Sequence, residues 1–471
     1  MMHHQGGPVK SFSELQRSVV KLRVDHLLPD PFKPFEVKDS YTSVSSAFFF
    51  KPDHLLTCYH CVHGAVACVV SFASFEKTQY EAEVLCCLPH VDLAVVRLRE
   101  PCPHQRPLQF HLSEVQEMQP VLAVGYPLES DSLKFTEGIV SGRMEEFVQT
   151  DAPINEGNSG GPLLDKDTLR VVGVNSQKLS NAENVGLTVP AALFCGWGDA
   201  VFRSRVIRPL QLSVKTCKTN APLIRFLKKF KKFPRDSGVL VTRSCSPLIS
   251  ANSVVYEVNG LPVDNHGYVG GKVSLHTYVK TRTGADTLTF SCFDLHKEED
   301  YKAVLSPLQA QGKQTSGRHK WSPVDDIECV VVEGLVIMEL NQSHQDELPT
   351  NDQVPFFQKV NLFKHFSESL CDRVFVSAVL LASPARFLDI IRPGDVLESI
   401  NGIPVKTLAD VKEALKSHLA GFIVLKTDMG VVYTTEVNPK PSPAVLQQHQ
   451  HARLHERVQG PLHLADQHLV R

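Results

Sequence analysis

Asn155-Glu156-Gly157-Asn158-Ser159-Gly160-Gly161-Pro162-Leu163 places a serine between glycines. Such small residues let backbone approach another molecule closely. If the loop turns its amides one way, the N–H groups of Gly157 and Ser159, with Asn158 between them, form a hole for the oxyanion of a tetrahedral intermediate. A serine nucleophile needs a base. Leu55-Leu56-Thr57-Cys58-Tyr59-His60 ends an apolar run on a histidine, and Val91-Asp92-Leu93-Ala94-Val95-Val96 sets an aspartate at the head of a strand. Each residue also has an ordinary reading: glycine-flanked serines are common in turns, and aspartate readily caps a strand or helix. His54 precedes the apolar run and His63 follows the turn, so both suit the surface and His60 is the expected base; His90 also lies near Asp92.

The elements that must carry these residues are short. From Ser18 to about Val201, β-branched runs recur every 8 to 15 residues between Pro, Gly, Asp and Ser turns: SVVKLRV, SSAFFF, ACVVSF, AEVLCCL, LAVVRL, VLAVGY, GIVSGR, LRVVGVNS and VGLTVP. That rhythm predicts an all-β barrel or sandwich and no βαβ alternation. The chain order His60, Asp92, Ser159 is that of a chymotrypsin-type double barrel, with histidine and aspartate in the first barrel and serine in the second.

The C-terminal half contains a repeat. Val254-Val255-Tyr256-Glu257-Val258-Asn259-Gly260-Leu261-Pro262-Val263 aligns without gaps to Val396-Leu397-Glu398-Ser399-Ile400-Asn401-Gly402-Ile403-Pro404-Val405. Each copy reads as strand, Asn-Gly turn, strand. After the second, Thr407 caps apolar positions Leu408, Val411, Ala414 and Leu415, a helix signature. APLIRFLKKFKKF predicts a basic amphipathic helix, which a solvated face explains. Glu299 to Ser322 reads as a linker or long loop, and the chain beyond Pro443 is rich in Gln and His.

At 471 residues, the prior of roughly 150 residues per domain gives about three domains. Lys+Arg 49 against Asp+Glu 51 leaves a net charge of -2, so no global field attracts nucleic acid or anionic lipid. No apolar run spans a bilayer, and the N-terminus lacks the continuous apolar segment of a secretory signal. The expectation is a non-secreted, intracellular protein of cytoplasm, nucleus or organelle matrix. The 12 cysteines, including Cys58-x-x-Cys61, have no second pair at zinc spacing, so they read as mostly reduced thiols; no metal site is expected.

Thr57-Cys58-Tyr59-His60, Val91-Asp92-Leu93-Ala94-Val95 and Thr150-Asp151-Ala152-Pro153-Ile154-Asn155-Glu156-Gly157-Asn158-Ser159-Gly160-Gly161-Pro162 resemble the HtrA/Deg (DegP-like) serine proteases. Val124-Gly125-Tyr126-Pro127 with Thr136-Glu137-Gly138-Ile139-Val140-Ser141 matches that family's second-barrel entry. Val171-Val172-Gly173-Val174-Asn175-Ser176 and Asn184-Val185-Gly186-Leu187-Thr188-Val189-Pro190 match its exit. The resemblance is dense over about Ser18 to Phe194, and the Asn-Gly-x-Pro-Val repeats resemble the PDZ domains that follow, with the degenerate second one of the plant Deg subgroup. It implies a mainly β fold: an N-terminal extension over 1–17, a chymotrypsin-like double β-barrel protease domain over 18–205, PDZ-like α+β domains over 206–318 and 319–440, and a tail over 441–471. It implies an ATP-independent endopeptidase acting on unfolded or regulatory proteins after small or medium aliphatic residues. The enzyme would be a trimer or multiple of trimers, with no cofactor. Catalysis would fall to His60, Asp92 and Ser159, the oxyanion hole to Gly157, Asn158 and Ser159, and substrate binding to Asn175, Ser176, Gly186 and Leu187. Gly334, Leu335, Val336 and Ile337 would form the peptide loop of the second PDZ-like module. In the first module the matching place, around Pro209 to Val214, lacks a glycine. Ala47 and Glu156 depart from the family pattern beside the site. The rivals are a proteolytically weak chaperone and a PDZ adaptor on a silent barrel.

Overall fold

The computed structural model describes residues 9, 11–72, 78–113, 115–144, 147–178, 185–207, 212, 214–244, 246, 248–271, 273–282, 287–305, 327–341, 343–344, 372–381, 383–417 and 421–436. The tail over 441–471, Asn184, and most of the stretch from Pro209 to Ser213 lie outside the described residues.

A short helix α1 (Phe12–Leu15) precedes twelve strands that close into two six-stranded barrels. The first contains β1 (Val19–Pro29), β2 (Val37–Lys51), β3 (His54–Thr57), β4 (Ala65–Ser71), β5 (Gln79–Leu88) and β6 (Leu93–Leu98). The second contains β7 (Pro120–Gly125), β8 (Lys134–Met144), β9 (Phe147–Thr150), β10 (Pro162–Asp165), β11 (Val171–Lys178) and β12 (Gly186–Pro190). The fold is mainly β, with the chymotrypsin-like pair of barrels.

The unbroken apolar runs follow from burial on both strand faces. In β2, Ala47 and Phe49 fill the first barrel, while Phe48 and Phe50 belong to a larger cluster that also takes Leu122, Val124, Leu164 and Val174 from the second. The same alternation separates Leu55 from Leu56 and Val95 from its neighbours Ala94 and Val96. Period 2 is present, but both phases are apolar. Helix α2 (Ala191–Gly196) adds Phe194 to the shared cluster, against Phe50 at 5.1 Å between ring centroids.

After the barrels, β13 (Val214–Cys217), β14 (Val239–Ser244), β15 (Ser253–Val258), β19 (Leu288–Asp294) and β20 (Glu299–Leu305) form one sheet, with β16 (Leu261–Pro262) paired to β15. Between them lie β17 (Tyr268–Val269), β18 (Val273–Ser274) and helices α3 (Ala221–Lys231) and α4 (Leu275–Lys280). This region has a core of its own, from Leu212 and Val214 to Ala303 and Leu305. The expected linker is corrected at its start: Glu299–Leu305 is a strand whose seven residues all pair with β19, burying Ala303 and Leu305; 306–322 lie outside the described residues. Asn220 caps α3 by accepting from the Leu223 amide.

Contacts divide the chain into two compact units. One holds Met1–His26 and Tyr41–Gly312, and the other holds Leu27–Ser40 and Lys313–Arg471. The second unit therefore includes a segment from the β1–β2 hairpin that the sequence reading assigned to the protease domain. Within this unit Phe32 and Phe35 pack on a cluster with Val336, Met338 and Phe375. Its strands are β21 (Val330–Val332), β22 (Leu335–Glu339) and β23 (Val374–Val379) in one sheet, and β24 (Leu397–Ile400), β25 (Ile403–Pro404), β26 (Phe422–Thr427) and β27 (Val432–Glu436) in another. Helices α5 (Pro384–Leu388) and α6 (Leu408–Ala414) accompany them. Thr407 and Asp410 form a capping box at α6. Both Asn-Gly repeats are tight hairpins, with φ of 50° and 80° at Asn259 and Gly260 and 52° and 79° at Asn401 and Gly402.

Candidate active site

β3 and β6 are neighbours in register, with Thr57 opposite Ala94. His60 lies three residues beyond the end of β3, and Asp92 immediately precedes β6, so the pairing brings the two together. Asp92 takes a left-handed φ of 54° at the end of a short turn, a conformation that aspartate tolerates better than most side chains. Its carbonyl accepts from the Tyr59 amide at 3.1 Å, its Oδ1 from the His60 amide at 3.0 Å, and its Oδ2 from His60 Nδ1 at 2.8 Å. The proton on Nδ1 leaves Nε2 as the basic nitrogen.

Ser176, at the end of the apolar run of β11, donates its hydroxyl to Asp92 Oδ2 at 2.6 Å. The sequence reading placed Ser176 among substrate-binding residues and did not connect it to the aspartate; 84 residues separate the two, and no spacing rule reports such a contact. Burial alone would raise the Asp92 pKa, but the bonds from His60 and Ser176 hold it below the usual carboxylate value. Burial would lower that of His60, yet hydrogen bonding to Asp92 and the neighbouring Cys61 thiol raise it above its ordinary 6.5. Cys58 is fully buried and donates to the Asn175 carbonyl at 3.1 Å. Burial pushes the Cys58 thiol up, whereas its interaction with Cys58 draws Cys61 down. Cys58, His60 and Asp92 have donor atoms within 4.8 Å of one another, but two of those atoms are already bonded in the His60–Asp92 pair.

The serine lies in the loop between β9 and β10. Each peptide unit around it is tied down by its carbonyl. Glu156 O accepts from the Leu128 amide at 2.8 Å, Gly157 O from Ser46 Oγ at 2.6 Å, Asn158 O from the Gly161 amide at 2.9 Å, and Ser159 O from the Ser46 amide at 3.0 Å. Asn158 N and Gly160 N donate to Asn155 O and Asn175 O. The amides of Gly157 and Ser159 donate to no acceptor among the described residues, as two oxyanion donors require. Gly157 and Gly160 have φ of 92° and 82°, and a Cβ on Gly160 would lie 2.1 Å from Thr57 Oγ1 and 2.2 Å from Ser46 O. The glycines are demanded by both conformation and space.

Ser159 Oγ donates to the Ser176 carbonyl at 3.0 Å, and no hydrogen bond joins it to His60 among the described residues. Ser176 is thus a link between the two halves: its carbonyl receives the Ser159 hydroxyl and its own hydroxyl holds Asp92. Asn175, expected to bind substrate, is fully buried; its backbone bonds Gly160 and Gly161 and its Nδ2 donates to Pro162 O at 3.2 Å. Its place is behind the serine loop. Gly186 and Leu187 are buried in β12, where a Cβ on Gly186 would lie 2.7 Å from Ile154 Cδ1. Glu156 is exposed and Ala47 fully buried.

Gly334 sits with Glu333 in the two-residue turn between β21 and β22, at φ 86°; its carbonyl accepts from the Leu380 amide, and a Cβ would lie 2.0 Å from that of Ser383. Leu335, Val336 and Ile337 are fully buried, and β22 is the middle strand of its sheet, paired to β21 and β23. Hairpin packing accounts for this glycine, and both edges of β22 are already occupied.

A family model described as a trypsin-like peptidase domain matches residues 45–174, and one described as a PDZ domain matches residues 375–426. The chain is 31% identical over 316 residues to Protease Do-like 2, chloroplastic, of Arabidopsis thaliana, covering 62% of this chain and 51% of the relative. It is 32% identical over 174 residues to Serine protease Do-like HtrA of Bacillus subtilis, covering 33% of this chain and 38% of that one. Among solved structures it is similar to the HtrA-type protease AlgW with tripeptide, at 20% identity and a TM-score of 0.49 over 63% of this chain and 96% of that one. The chain spans about half the length of the first curated relatives it matches. Stretches that match a trypsin-like peptidase domain and a PDZ domain, together with similarity to Do-like proteases of a plant and a bacterium, are what the chain shares with the HtrA/Deg proteases.

Proposed function

We propose that the chain is an ATP-independent serine endopeptidase. Ser159 attacks the scissile carbonyl, His60 Nε2 takes its proton and later returns it to the leaving amine, and Asp92 orients His60 and stabilises the imidazolium. The amides of Gly157 and Ser159 receive the oxyanion. The observation that carries this reading is the serine loop: its carbonyls are tied to other groups while these two amides have no acceptor among the described residues, beside a bonded His60–Asp92 pair. Attack requires Ser159 Oγ to leave the Ser176 carbonyl and turn to His60, an adjustment consistent with the longer catalytic hydrogen bonds of substrate-free sites.

The proposed substrates are unfolded or regulatory polypeptides cleaved after small or medium aliphatic residues, by a homo-oligomer built on trimers, in an organelle or another intracellular compartment. A fluorophosphonate that labels the native chain at Ser159, together with casein cleavage abolished in Ser159→Ala, supports the peptidase. Absence of both in folded protein would favour the chaperone or adaptor reading, and light scattering of the native chain tests the trimer.

A further inference from the structure

We infer that Ser46 is a positioning residue of the oxyanion hole, an inference that rests on the peptidase reading above. Ser46 is fully buried in β2, far from Ser159 in sequence, and all its polar groups are engaged. Its amide donates to Ser159 O at 3.0 Å, and its carbonyl accepts from Thr57 Oγ1 at 2.8 Å. Its Oγ donates to Gly157 O at 2.6 Å and accepts from the Tyr126 amide at 2.9 Å. One residue of the first barrel therefore grips the serine loop at both ends.

A trans peptide unit is planar, so the direction of its carbonyl fixes the opposite direction of its N–H. The Gly157 amide belongs to the unit whose carbonyl is Glu156 O, and that oxygen is held by the amide of Leu128. Leu128 lies two residues after Tyr126, the residue whose amide Ser46 Oγ receives. The next unit, with Gly157 O, is held by the same hydroxyl directly. Both peptide units that meet at Gly157 Cα are thus referred to a single oxygen atom. Glycine at φ 92° has no side chain to resist rotation, so an external clamp is what keeps its amide aimed. Space is equally tight: a Cβ on Gly125 would lie 2.7 Å from Ser46 Oγ, and one on Gly157 2.3 Å from Tyr126 O.

The test uses the full chain. Ser46→Ala leaves Gly157 O without its donor and Tyr126 N without its acceptor. Loss of one direct oxyanion donor costs roughly 10² to 10³ in kcat, so removing a clamp behind a donor is expected to lower kcat about 10- to 100-fold with KM within about twofold. Fluorophosphonate labelling of Ser159 should slow by the same factor. Affinity for an uncleaved peptide, measured in a Ser159→Ala background, should not change when Ser46→Ala is added. Ser46→Cys keeps a weaker donor of similar size and should fall between wild type and Ser46→Ala; it decides the matter if the alanine variant does not fold. Wild-type kcat in Ser46→Cys and Ser46→Ala, or a loss of peptide affinity equal to the loss of kcat, overturns the inference while leaving the peptidase intact. A wild-type chain that never labels overturns both, and is told apart by that result.

Discussion

The two barrels hold their shares of the site by different means. On the first-barrel side a charge does the holding: the Asp92 carboxylate collects three donors, two from His60 and one from Ser176, at 2.6 to 3.0 Å. On the second-barrel side Ser159 rides on neutral backbone bonds, each ordinary, made possible by glycines that leave no room for a methyl group. Charge-assisted bonds are strong one at a time, whereas neutral bonds hold a loop by number. The pair should therefore fail when charge or tautomer is altered, and the loop when an atom is added.

Removal of the chemistry itself has the largest expected effect. Ser159→Ala or His60→Ala should each lower casein turnover by about 10⁴ or more, and the double variant should be little worse, because members of such a unit do not add. A double variant far below either single one would show that they act separately. Asp92→Asn keeps size but supplies the wrong hydrogen-bond partner to Nδ1; a cost of about 10⁴ is known for the same change in chymotrypsin-like triads. A loss near tenfold would mean that Ser176 and the backbone already fix the ring without the charge.

On the loop side the sharpest variant adds one carbon. Gly160→Ala drives a Cβ against Thr57 Oγ1 and the Ser46 carbonyl and imposes a left-handed φ on alanine, so kcat is expected to fall at least 10²-fold. Gly196→Ala, where a Cβ meets nothing within 4 Å, should leave turnover unchanged. Equal activity in both variants would remove the contrast between the barrels.

This contrast also explains what was legible in the sequence. His60, Asp92 and Ser159 could be proposed from the sequence because residue type carries their chemistry, and the strand rhythm found nine of the twelve barrel strands. The three it missed, His54–Thr57, Phe147–Thr150 and Pro162–Asp165, are four residues long, too short to show a period. Ser46 was passed over because the partners of its hydroxyl are main-chain atoms 80 and 111 residues away, and no local pattern surrounds it. Gly334 was seen, but as a peptide loop; its positive φ serves a hairpin turn packed on Ser383, and glycine alone does not distinguish the two uses. The Leu27–Ser40 segment was assigned by its order along the chain, which is silent about which core Phe32 and Phe35 enter.

The smallest predicted effect tests the charge on the first-barrel side. His60 accepts a proton only when its imidazole is neutral, so activity is present above its pKa and is lost as pH falls through it. Asp92 is held below the usual carboxylate range and stays ionised throughout, so the acid limb of kcat/KM belongs to His60. Burial opposes the imidazolium, but the Asp92 bond and the Cys61 thiol together raise the His60 pKa, so the limb should lie above 6.5. Cys61→Ser removes the sulfur, which helps to stabilise the imidazolium, and leaves the Asp92 bond in place. The limb should then move to lower pH. Activity above the limb should be little changed, because His60 is neutral there with either residue. Measuring kcat/KM from about pH 6 to pH 12 for both chains decides it: a limb at the same position in both would show that Asp92 alone sets the charge on His60.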